Sequence, residues 1–167
     1  IWPYHAMLGS NNHALVTSVE EVCFFHGAAR GAQTNFEIKG GNPLTENYSV
    51  LRPEVLTKPD GSAMAQKNVG FIEALLQLDA LFIGGQAKSH CVGWTIYDLL
   101  HEIMAKDPAL ARKVWLLEDT TSPVVVPGVI DFTDDADKAF VKFKDAGMNV
   151  VTTDVALEDI LPVKKAA

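Results

Sequence analysis

Residues 80–103 constrain the fold of this chain more than any other stretch: Ala80-Leu-Phe-Ile-Gly-Gly-Gln-Ala-Lys-Ser-His-Cys91-Val-Gly-Trp-Thr-Ile-Tyr-Asp-Leu-Leu100, continuing to Ile103. Ala80 to Gly84 is a short apolar run bounded by turn signals, which reads as a buried strand. Two glycines turn the chain, and Val92, Ile96, Leu99, Leu100 and Ile103 then recur at helical spacing. The same alternation of strand-like and helix-like segments runs from end to end. It predicts an α/β fold, a doubly wound parallel sheet flanked by helices, in a single domain over residues 1–167.

The other elements follow from local signals. A short strand is expected at Ala14-Leu15-Val16. Ser18 and Glu21 have the spacing of a capping box, for a helix to about Ala29 closed by Gly31. Asn35 to Ile38 reads as a strand that delivers Lys39-Gly40-Gly41, and a long loop follows to about Ser62. Asn68 to Leu78 is an amphipathic helix. Lys113 to Leu117 is a strand ending at Glu118-Asp119. Asp134 to Ala146 is a helix stopped by Gly147, Asn149 to Thr152 the last strand, and Ala156 to Leu161 a short helix. No repeat, low-complexity tract or linker interrupts this series.

Cys91 falls at the first turn of its helix, where free N–H groups and the positive end of the dipole favour a thiolate. The thiolate is the nucleophilic form, so Cys91 is a candidate nucleophile. Cysteine is also a small hydrophobe common in cores, and position alone does not separate the two roles. Lys88 and His90 add nearby basic groups. A Cys-phosphatase loop also begins His-Cys but needs an arginine six residues on; Tyr97 stands there, and that reading fails. In open α/β sheets ligands bind at the carboxyl ends of strands. Lys39, the Gly84–Cys91 turn and Asp119 are all placed at such ends. Taken singly, Lys39 reads as a solvated loop lysine and Asp119 as a turn cap.

The net charge of -7 argues against nucleic acid or an anionic membrane as partner. No apolar run is long enough to span a bilayer. Two cysteines, Cys23 and Cys91, cannot build a disulfide framework, so a reduced, cytoplasmic setting is expected.

Gly85-Gln-Ala-Lys-Ser-His-Cys91-Val resembles the cysteine loop of the nicotinamidase and isochorismatase-like cysteine hydrolases. Trp2-Pro3-Tyr4-His5 resembles their Trp-Pro-x-His segment, and Lys39-Gly40 with Tyr48-Ser49 their Lys-Gly segment and downstream Tyr-Ser. The three matches come in the family's order and span most of the chain. The resemblance implies a Cys–Lys–Asp catalytic set acting on a small-molecule amide. Cys91 would be the nucleophile and Lys39 would steady its charge. The backbone N–H groups of Ala87 and Cys91 would form the oxyanion hole, beside a cis peptide bond between Gln86 and Ala87. His5 would be a ligand to a divalent metal such as zinc.

The chain also departs from that pattern. The family's aspartate and remaining metal ligands lie on or near a first strand upstream of Trp-Pro, and no such strand is found here. That strand is central, so the domain is expected to be N-terminally incomplete. Either the chain is a fragment of a longer protein, or it pairs with a second chain carrying the N-terminal half; a homo-oligomer is also expected. Asn11-Asn12-His13 replaces a different nicotinamidase segment, and His13 is taken as structural or pocket-lining. Two functions remain open: an amidohydrolase working through an acyl-enzyme, or a non-catalytic binding or assembly protein on the same fold.

Overall fold

The computed structural model describes residues 5–160. They form two compact units, one running through Glu37 and the other starting at Ile38. Of the Trp-Pro-x-His segment only His5 falls within the described residues.

The first unit is built on helix α1 (Thr17–Arg30), with Glu20 in its first turn and Arg30 in its last, the charge order that suits the helix dipole. Gly31 closes it in the left-handed region at φ 62°, as expected from the glycine. The Ser18–Glu21 capping box does not form. The helix begins at Thr17, so Ser18 lies inside the first turn, and Val16 is the cap residue with no side-chain bond. No residue of α1 is buried. Neither expected strand forms here: 14–16 and 35–38 join no ladder, and Phe36 and Ile38 stay 73% and 69% exposed. Alternating apolar residues suit a strand only where a neighbour supplies backbone partners, and the described residues offer none.

The second unit carries the sheet. Strands β1 (Leu81–Ile83), β2 (Val114–Leu117) and β5 (Asn149–Val151) lie side by side in that order, all parallel. Phe82 pairs with Trp115, and Leu116 with Val150. Helices α2 (Val69–Gln77), α3 (Cys91–Lys106) and α4 (Thr133–Asp145) flank it. This is the expected parallel sheet with helical cover, over three strands. Among the described residues neither β1 nor β5 has a partner on its second edge.

The core forms where the periodicity places it. Val92, Ile96, Leu99, Leu100 and Ile103 of α3 are all buried, against Ala111, Val114 and Leu116 beneath and Phe140 and Phe143 of α4. Each of the larger of these side chains contributes about 1.5–3 kcal/mol by leaving water. Asn68 caps α2 by accepting the Phe71 N–H at 3.3 Å. Gly147 takes φ 101° one residue beyond the Ala146 cap of α4. The terminal helix α5 covers Leu157–Ile160. The antiparallel pair β3 (Val125–Val126) and β4 (Ile130–Asp131) has no counterpart in the expected series. Its signal is Pro127-Gly128: Gly128 has φ 73°, and Val129 N–H bonds to Val126 O at 3.0 Å, a turn that proline and glycine favour.

Gly93 is fixed by contact rather than by φ. A Cβ there would lie 2.6 Å from the Lys88 carbonyl oxygen. Gly93→Ala must therefore push the Cys91 turn off the helix, at about 1–3 kcal/mol for overpacking. The expected result is a lower melting temperature together with slower modification of Cys91. Normal stability and reactivity in the variant would contradict the close approach.

Candidate active site

Cys91 is the first residue of α3, with His90 as cap residue, and its side chain is half-buried. The turn before it carries a cis peptide bond between Gln86 and Ala87, where the family resemblance implies one. Two glycines make room: a Cβ on Gly84 would collide with the Thr120 side chain, and Gly85 has φ 123°. The segment after β2 straps this turn down. Gly85 N–H donates to Thr120 O at 3.3 Å, Lys88 N–H to Ser122 O at 2.8 Å, and Ser122 Oγ to Gln86 Oε1 at 3.1 Å. Ala87 O accepts both His90 N–H (3.0 Å) and Val92 N–H (3.1 Å). The amides of Ala87 and Cys91 are not among those used in these bonds.

Lys39 meets Cys91 across 52 residues of chain: its Nζ lies 2.8 Å from Sγ. The same ammonium donates to Tyr48 O at 2.7 Å. Lys39 does not stand at a strand end as expected, because 35–38 is not a strand. The long loop places it instead. Ser49 and Leu51 are buried, Val50 N–H donates to Thr95 Oγ1 on α3 at 3.3 Å, and Leu51 O accepts Asn68 N–H at 2.8 Å. These contacts bind residues 48–51 to α2 and α3, and the Tyr48 carbonyl then orients the lysine.

Aromatic rings stand beside this pair. The Tyr48 ring stacks on Trp94 at 6.3 Å with 20° between planes, and lies edge-on to His90 at 5.6 Å. His90 in turn meets Phe132 edge-on at 4.8 Å. Ser89 Oγ accepts Val124 N–H at 2.9 Å and lies 2.8 Å from His90 Nδ1. Burial lowers the pKa of His90, which favours its neutral ring. Trp94 escapes a motif search, since a single aromatic on a helix looks like a core residue, and Phe132 stands just before α4 in a stretch with no motif.

Asp119 and Lys88 are engaged by other partners. Asp119 serves as a turn anchor, as read from sequence: its carboxylate accepts Thr153 N–H and Oγ1, and these bonds hold its pKa below the usual aspartate value. Lys88, counted above among the basic groups near Cys91, directs its charge instead to Glu118 and Asp137. His5 lies exposed in the first unit, and among the described residues no three His, Cys, Asp or Glu side chains come together to hold a metal. A catalytic zinc takes three protein ligands, so these residues do not form its site and no step below runs through a metal. His13 lines a cavity of about 720 Å³ with Cys23, Phe24 and Phe36, all in the first unit.

No family model matches the sequence, and no curated protein does. Solved structures do match by fold. The yeast nicotinamidase Pnc1p bound to the inhibitor nicotinaldehyde aligns with a TM-score of 0.55 at 19% identity, over 91% of this chain and 58% of that one. This is the nicotinamidase fold. A second structure of yeast Pnc1p aligns at 0.54 and 21% identity, over 90% and 57%. A nicotinamidase-pyrazinamidase from Acinetobacter baumanii aligns at 0.49 and 16%. The chain spans about 58% of the length of the yeast nicotinamidase it matches. No helix among the described residues is long and apolar enough to cross a membrane.

Proposed function

We propose that this chain carries the nucleophile of a cysteine amidohydrolase acting on a small aromatic carboxamide such as nicotinamide. The observation that supports this most is the Lys39 ammonium 2.8 Å from Cys91 Sγ. A cation in contact with a thiol at a helix N-terminus stabilises the thiolate. Attack on the amide carbonyl creates an oxyanion, for which the Ala87 and Cys91 amides are the candidate donors. Ammonia leaves with a proton, giving a thioester on Cys91, and water then releases the acid. The rings of Tyr48, Trp94 and His90 suit a flat aromatic acyl group.

Departure of ammonia needs a proton donor, and among the described residues no carboxylate pairs with Cys91 or Lys39. The general acid, and the strand edge beside β1, are accordingly assigned to polypeptide outside these 167 residues: an N-terminal portion or a second copy of the chain. A divalent metal on His5 would need its other ligands from the same source. That no carboxylate pairs with Cys91 or Lys39 among the described residues also supports the second reading, a binding or assembly protein that keeps the fold without turnover.

Ammonia release separates the two. The complete protein should liberate ammonia from nicotinamide, and acid-quenched samples should carry the nicotinoyl mass on the Cys91 peptide. Release of ammonia with the acyl group elsewhere sinks the Cys91 assignment. Tight binding without any ammonia favours the second reading.

A further inference from the structure

Lys88 is the only charged residue buried among the described residues, at 6% exposure. Lysines are almost never buried unless paired. Its ammonium lies 2.9 Å from Glu118 Oε1 and 2.7 Å from Asp137 Oδ1, above the Phe140 ring at 4.5 Å. Burial pulls its pKa down, but the hydrogen bonds it donates to Asp137 and Glu118 outweigh that and raise it, so the charge persists at neutral pH. Glu118 directly follows β2 and Asp137 belongs to α4, so one side chain joins two elements that are far apart in sequence. The main chain of the same residue is also held, its N–H by Ser122 O at 2.8 Å and its carbonyl against Gly93. Lys88 immediately follows Ala87 and sits three residues before Cys91. Nothing in the cysteine chemistry proposed above uses its charge.

We propose that Lys88 is a positioning residue for the Cys91 turn: clamped between Glu118 and Asp137, it fixes the Ala87 and Cys91 amides relative to Sγ. The catalytic part of this rests on the reading of Cys91 as nucleophile; the clamp itself does not. An apolar side chain in its place would keep the packing on Phe140 and lose the two bridges. The turn would then rest on the Gly85–Thr120 and Lys88–Ser122 backbone bonds, the Ser122–Gln86 side-chain bond and the Gly93 contact. Arginine keeps a charge that can reach both carboxylates, and so preserves the device.

The test is backbone hydrogen exchange on the complete protein, comparing wild type with Lys88→Met, Lys88→Arg and Asp137→Asn. Loss of bonds to a charged group should speed exchange across residues 85–92 by roughly tenfold or more in Lys88→Met. Peptides from the second half of α3 should keep their rates, Lys88→Arg should restore the turn, and Asp137→Asn should loosen it by roughly threefold, since Glu118 remains. On nicotinamide, Lys88→Met should lower kcat by roughly thirtyfold with KM within threefold, as expected for lost transition-state alignment. Iodoacetamide should modify Cys91 at nearly the wild-type rate, because alkylation needs no oxyanion hole. Unchanged exchange at 85–92, or exchange rising equally throughout the second unit, overturns the proposal. So does turnover that survives Lys88→Met intact. Should Lys88→Met fail to fold, Asp137→Asn decides by the same exchange criterion. If the wild type releases no ammonia, the hydrolase reading falls, and exchange still decides whether Lys88 holds the turn.

Discussion

Cys91→Ala is expected to abolish ammonia release while leaving the melting temperature within a few degrees of wild type. Lys39→Met is expected to slow alkylation of Cys91 at neutral pH by roughly tenfold. The first effect follows from the chemistry: without the sulfur there is no acyl-enzyme, and losses on removing a nucleophile reach several orders of magnitude, about a millionfold in a serine protease. The stability change is small because Cys91 is only half-buried and its neighbours Val92 and Ile96 retain the core contacts. The second effect is smaller because Lys39 is exposed and its field is screened by water. Methionine preserves much of the length and removes the charge 2.8 Å from Sγ.

Cys23 provides the internal control. It is half-buried as well, on a helix that buries nothing, so accessibility does not distinguish the two thiols. The neighbour does: the Lys39 ammonium stands 2.8 Å from Cys91 Sγ, and a cation beside a thiol favours the reactive thiolate. A limiting amount of iodoacetamide should label Cys91 well ahead of Cys23 in wild type, and the gap should close in Lys39→Met. Equal labelling in the folded wild type would return Cys91 to an ordinary thiol at a helix end. An unchanged gap in Lys39→Met would return Lys39 to a surface loop.

The cysteine half of this site was legible because strand, turn and helix are contiguous. Three local rules, the apolar run, the glycines and the helical spacing of Val92 to Ile103, act on the same 24 residues and agree with each other. The lysine half was legible through the family resemblance, since the strand end that also placed Lys39 there rested on a strand at 35–38 that does not form. Its approach to Cys91 depends on a loop with no periodicity, anchored by a buried serine, a leucine carbonyl and a threonine hydroxyl on α3. Such anchors leave no pattern in sequence, since their partners lie on separate elements. Lys88 illustrates the converse. Sequence proximity to Cys91 suggested that it acts on the thiol, whereas burial forces its charge toward Glu118 and Asp137. The expected strands at 14–16 and 35–38 did not form for a related reason: a strand is a property of a pair, and local alternation supplies one member.

Residues 1–167 expressed alone are expected to bind a hydrophobic dye and to lack a sharp, cooperative melting transition. Phe24, Phe25, Phe36 and Ile38 are each about two-thirds exposed or more, and α1 has no buried residue on any face. Monomeric proteins rarely leave contiguous apolar patches of large size uncovered. The three-stranded sheet has its own open side, because β1 presents an edge that no described strand occupies. Unpaired edges of parallel strands lose ladder hydrogen bonds and invite association. Polypeptide that supplies a strand beside β1 should therefore restore cooperative unfolding of the second unit, whether joined in cis or added as a separate chain. The same addition should bring ammonia release if it also carries the general acid. The sign of each effect is separable: recovery of folding without activity would point to the binding or assembly reading, and recovery of both to the hydrolase. A sharp, two-state, monomeric transition for the isolated 167 residues would show that the β1 edge and the exposed phenylalanines need no cover, and would remove the case for an outside strand.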